Sequence, residues 1–100
     1  MSETQFAPGA RLSAQNLVWE SIIRMNEPVV QLVCREEDLP LVKAVVPTAK
    51  AKYEAGAAAC TLPHVVKKVD VQVVTKAFLP SGCVMAATPS QQQRTRCFHM

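Results

Sequence analysis

Along the chain the spacing of apolar positions changes several times, and each change marks an expected element. Over residues 13–25, Leu17, Val18, Trp19, Ile22, Ile23 and Met25 return at three- and four-residue steps, with Gln15, Glu20, Ser21 and Arg24 between them. That spacing is the stripe of an amphipathic helix. Ser13 stands where a hydroxyl can cap the first turn. Pro28 disfavours an α conformation at Glu27, so the helix is expected to close near Asn26. Residues 29–34, Val-Val-Gln-Leu-Val-Cys, switch to a period of two and predict a strand with Val30, Leu32 and Cys34 on one face. The acidic run Glu36-Glu37-Asp38 can cap a following helix and suits the positive end of its dipole, and Pro40 fits the first turn. Behind it Leu39, Val42, Val45, Val46, Ala49 and Tyr53 form a second helical stripe, with Lys43, Lys50 and Lys52 outside. Pro47 falls inside this helix, where a missing N–H and a ring clash cost about 3 kcal/mol, so a kink or break is expected there.

The second half is less regular. Residues 56–63 are small, Ala-rich and closed by Pro63, as in a fraying helix end and loop. Residues 65–76 alternate, placing Val69, Val71 and Val73 on one face, and predict a half-buried strand. After the turn Leu79-Pro80-Ser81-Gly82, residues 83–88 are expected to start a third strand. The expected fold is α+β, in helix-strand-helix-strand(-strand) order, a small sheet with both helices packed on one face, because neither helix can bury its stripe alone. Residues 1–12 are read as a loose lead-in, 13–88 as the folded part, and 89–100 as a disordered tail without an apolar face.

Composition narrows the class without supplying an activity. A chain of 100 residues with 49% apolar and 19% charged residues is a single globular unit. Five aromatic residues leave its core to Val, Leu, Ala and Met, and the net charge of +3 is too small and dispersed to mark a nucleic-acid surface. The N-terminal residues show no basic and apolar leader, and no apolar run approaches the ~20 residues of a membrane span. Cys34, Cys60, Cys83 and Cys97 contain no C-x-x-C pair and are expected to be free thiols. His64 has no ligand-type neighbour at a metal-binding offset, and Cys97 with His99 makes only an isolated C-x-H. Glu36, Glu37 and Asp38 read as caps rather than an acid–base pair, and no glycine-rich phosphate loop or nucleophile elbow is present. No catalytic residue, cofactor or metal is therefore expected.

The informative segment is 16–46. It contains Arg24, then Glu27-Pro28, a strand closing on Cys34-Arg35, and then Asp38 and Leu41-Val42, in order and without gaps. This pattern resembles the start of the C-terminal globular domain of the E-subunit family of V-type ATPases. Further on, Ala49, Lys50 and Tyr53, the stretch Val69-Asp70-Val71-Gln72-Val73, and Phe78-Leu79-Pro80 with Gly82 and Val84 are similar to the same family. The resemblance implies a non-catalytic component of the peripheral stalk, or stator, of a rotary proton-translocating ATPase, supporting ATP-driven proton transport. It implies as partners the G subunit and the catalytic-head subunits, and a cytoplasmic place at the membrane periphery without insertion into it. Arg24, Glu27, Pro28, Cys34, Arg35, Asp38, Leu41 and Val42 are then structural or interface positions. The family's long N-terminal helix, second hairpin strand and closing helix have no counterpart, so the chain resembles a truncated or divergent member.

A different class of function is a small basic α/β adaptor or nucleic-acid-binding module using Lys43, Lys50, Lys52, Lys67, Lys68, Arg94 and Arg96, although no Gly-x-x-Gly clamp or aromatic stacking pair accompanies them. Under the family reading, absence of the closing helix leaves Val71, Val73 and Val84 on or near an uncovered surface, which favours self-association.

Overall fold

Residues 8–80, 82–88 and 94–97 are described in the computed structural model of the chain. Helix α1 (Pro8–Met25) leads into strand β1 (Val29–Cys34), a single 3-10 turn (Glu36–Asp38) and helix α2 (Leu39–Ala59). Strands β2 (Asp70–Thr75), β3 (Cys83–Ala87) and β4 (Arg94–Cys97) follow. The sheet order is β2-β1-β3-β4. β1 is parallel to β2, with Val30 beside Val71 and Leu32 beside Val73, and antiparallel to β3, with Leu32 beside Ala86 and Cys34 beside Val84. These pairings put Val30, Leu32, Cys34, Val84 and Ala86 on one face, where they share a core with Leu17, Val18 and Ile22 of α1 and Leu41, Val42, Val45 and Ala49 of α2. The expected α+β order and its helix-covered valine and leucine face are thus present.

Several boundaries differ from the sequence reading. α1 starts at Pro8 rather than at residue 13, so residues 8–12 belong to the helix and Ser13 lies inside it. Proline is suited to a first helical turn, and Ala10 and Ala14 extend the buried stripe upstream with side chains too small to advertise it. Ile23, assigned to that stripe, is exposed. β2 starts only at Asp70, and the preceding valines form a loop. In the expected tail, residues 94–97 form a strand antiparallel to β3; the rest of 89–100, like residues 1–7, lies outside the described residues. Val84 is buried rather than on an open surface, because β3 lies between β1 and β4. Cys83 is disulfide-bonded, not a free thiol, and its backbone register partner is Cys97; Cys34 and Cys60 are free.

α2 runs without a break through Pro47. The missing N–H would have served the carbonyl of Lys43, and both residues lie on the exposed side, where water can take the bond. Pro47→Ala should therefore stabilise the chain by about 2 kcal/mol, the helix penalty of proline less its restriction of the unfolded state. A denaturant midpoint that stays put or falls would show that the helix accommodates the proline at no cost.

Candidate functional site

The motif residues converge on the two ends of β1. At its entry, the Pro28 carbonyl accepts the Asp70 N–H at 2.8 Å, and at its exit the Cys34 carbonyl accepts the Lys76 N–H at 2.9 Å. The Glu27-Pro28 and Cys34-Arg35 pairs thus bracket the parallel β1–β2 ladder. Asp38 stands at the start of α2 but does not cap it; its Oδ2 instead accepts the Gly82 N–H at 2.8 Å, tying the helix start to the turn before β3. Arg35 Nε lies 3.4 Å from a Glu37 carboxylate oxygen in an exposed ion pair, worth at most about 1 kcal/mol. Leu41 and Val42 are core residues under the sheet, Arg24 is exposed at the end of α1, and Glu27 is half-buried.

A second set of anchors escaped the sequence reading. Asn26 adopts φ 47°, a left-handed conformation that ends α1. Its side chain donates to the His64 carbonyl and accepts from the Val66 N–H, both at 3.0 Å. Tyr53 donates its hydroxyl to the Val66 carbonyl at 2.5 Å, Glu54 accepts the Val69 N–H at 3.1 Å, and Lys67 donates to the Ala57 and Cys60 carbonyls at the end of α2. These contacts hold the connection from α2 to β2. Asn26 two positions before a proline was the one available signal, since Asn is the non-glycine residue best suited to a left-handed helix end.

Two clefts flank this framework. A polar one of about 590 Å³ opens beyond the carboxyl ends of β1 and β2, and its two cations, Arg35 and Lys76, are balanced by Glu36 and Glu37. An apolar one of about 390 Å³ lies between α1 and α2, walled by Trp19, Ile23, Tyr53, Ala57, Cys60 and Val65. Lys52 Nζ sits 3.9 Å from the centre of the Trp19 ring, as a cation over an aromatic face. His64 is exposed on the loop and contributes its carbonyl rather than its ring. Among the described residues no group of three or more His, Cys, Asp or Glu side chains could hold a metal ion. With Lys52 on Trp19 and Lys67 on the α2 carbonyls, two of the lysines named for a basic adaptor surface are engaged within the fold.

Burial first, and then the charge of Asp38, push the Cys34 thiol above its ordinary value of 9.0. Burial, followed by Cys60 and Glu54, likewise raises Tyr53 above 10.0. Both groups keep their protons longer folded than unfolded, so their share of stability is intact below about pH 9 and is lost as pH rises through the raised folded values. The urea midpoint should hold from about pH 7 to 8.5 and decline beyond about pH 9.5; an alkaline rise would contradict the assignment. Native alkylation followed by mass mapping should label the half-buried Cys60 and spare Cys34, which is 0% exposed. Equal labelling at both sulfurs would refute the packing described for β1.

The fold and the β1 junction define a small α+β scaffold in which the distinctive polar residues bind backbone rather than form a reactive cluster. Residues 11–91 match the ATP synthase (E/31 kDa) subunit family, and the chain belongs to that family. It is 46% identical over 66 residues to the E1 subunit of the V-type proton ATPase of Arabidopsis thaliana, a match that covers 66% of this chain and 26% of the relative. To the V-type proton ATPase E subunit of Dictyostelium discoideum it is 32% identical over 68 residues, 68% of this chain and 26% of the relative. The corresponding E subunit of Gossypium hirsutum matches at 46% identity over 39 residues, 39% of this chain and 16% of the relative. The matched stretches span about a quarter or less of these relatives. No helix among the described residues is long and apolar enough to cross a membrane.

Proposed function

We propose that the chain acts as a non-catalytic element of the peripheral stalk of a V-type proton ATPase, serving ATP-driven proton transport mechanically from the cytoplasmic face of the membrane. The observation that carries this reading is the family match over residues 11–91, together with a motif whose residues lock β1 to β2 and the start of α2 to the turn before β3. A stator resists torque, and cross-element hydrogen bonds at both ends of a central strand serve rigidity. The G subunit and the catalytic-head subunits are the proposed partners, with exposed Arg24 and half-buried Glu27 among the motif residues open to them. Neither a cofactor nor a nucleic acid belongs to this role.

The test is assembly. A tagged chain expressed in cells bearing the ATPase should co-sediment with the soluble sector stripped from their membranes, and the G subunit should be among the proteins cross-linked to it. Migration of the whole tagged pool as free protein, at every expression level, would reject the proposal.

A further inference from the structure

We infer that the open edge of β2 is a self-association surface, through which two copies of the chain join their sheets antiparallel about a twofold axis centred on Gln72. β2 is an outer strand of the sheet, and among the described residues no strand pairs its other edge. The direction of its backbone groups follows from the hydrogen bonds at its two ends. Asp70 donates to Pro28 and Lys76 donates to Cys34, both on the β1 side. In a strand, alternate residues direct their N–H and C=O to the same side. Gln72 and Val74 therefore serve β1, while Val71, Val73 and Thr75 direct both backbone groups outward. The open row begins beyond Val69, because that N–H is already taken by Glu54. A row of outward backbone donors and acceptors is matched by another strand.

The side chains specify a second copy as the occupant. Val71 and Val73 lie on the helix-covered face but are only half-buried, so the helical layer stops short of this edge. A twofold axis normal to the sheet keeps both helical layers on one face, which requires outward residues to pair with outward residues. The register centred on Gln72 does this: Val71 meets Val73 of the second copy, and Val73 meets its Val71. Both are hydrogen-bonded pairs with their side chains toward the helices, so each valine covers the other. Gln72 then faces Gln72 of the second copy at a close, non-hydrogen-bonded position, and Asp70 faces Val74 rather than another carboxylate. Val74, 36% exposed, gains a neighbour. Lys68 and Lys76, the basic residues that flank this edge, lie outside the six residues of the strand.

The experiment uses the full chain, with Cys60→Ser as background for cysteine variants. Sedimentation across ~10 μM to ~1 mM should show the mass rising from 10.9 kDa toward twice that value. Gln72→Cys chains should cross-link to themselves on mild oxidation. Val74→Cys chains should not, yet should link to Asp70→Cys chains when the two are mixed. Val73→Pro removes one outward N–H and no bond to β1, and should leave a monomer. Because proline can also disturb folding, Gln72→Lys supplies the second variant: its side chain is exposed, so the melting curve of the monomer should be unchanged while association weakens about 2–5-fold through two facing ammonium groups. A chain that stays at 10.9 kDa throughout overturns the inference. So does a dimer whose affinity Gln72→Lys leaves unchanged, or one in which Val74→Cys links to itself and Gln72→Cys does not.

Discussion

Leu32→Ala is expected to lower the thermal midpoint by at least ~10 °C. Leu32 is 0% exposed at the middle of β1, where it lies beside Val73 in one neighbouring strand and Ala86 in the other, under both helices. Removing a fully buried leucine costs about 2–5 kcal/mol, through lost transfer energy and a cavity the surroundings only partly close. In a 100-residue chain each kcal/mol is worth about 4–8 °C. The loss is a large part of the ~5–15 kcal/mol that holds such a domain together. Circular-dichroism melts of Leu32→Ala beside Leu62→Ala make the comparison, since Leu62 is 51% exposed and its truncation should move the midpoint little. Equal shifts would mean that β1 is not the centre of the core.

Asn26→Ala should cost about 2–5 kcal/mol, which is far more than an ordinary loop substitution. Two side-chain hydrogen bonds of about 0.5–1.5 kcal/mol each are lost, and alanine must hold the left-handed backbone at a further ~1–2 kcal/mol. Asn26→Gly relieves the backbone but restores neither bond, so its cost should fall to about 1–3 kcal/mol. The difference separates conformation from bonding. Amide exchange supplies a local readout: the Val66 N–H, held by Asn26 Oδ1, should exchange faster in both variants. Unchanged protection at Val66 would show that Tyr53, Glu54 and Lys67 hold the loop without Asn26.

What the sequence made legible depended on periodicity in large side chains. β1, α2 and the valine face of β2 were readable because Val, Leu and Tyr recur at the spacing of the element that buries them. Alanine carries too little hydrophobic contrast, so the first turns of α1 around Ala10 went unread. Pro47 suggested a broken helix because the local penalty was legible and the exposure of the Lys43 carbonyl was not. β4 has no apolar pattern and rests on backbone pairing to β3, a partner that only the tertiary fold supplies. The motif residues Pro28, Cys34 and Asp38 were found by resemblance, but their work is done partly by main-chain atoms, 40 or more residues distant in sequence for the Pro28, Cys34 and Asp38 contacts. Asn26 belongs with them, since its bonds cross 38 and 40 residues.

The position of β1 between β2 and β3 has a consequence for biosynthesis. β1 is translated first among the strands, yet both of its neighbours lie beyond α2. From the synthesis of Cys34 to that of Ala87, roughly fifty residues later, an apolar strand waits with one or both edges open. At ~5–20 residues per second that interval is on the order of 3–10 s. During it α1 and α2 are the only elements of this sheet's core available to shield the strand, so pausing of the ribosome in the α2–β2 connection should raise the aggregated fraction of nascent chains, and faster decoding there should lower it.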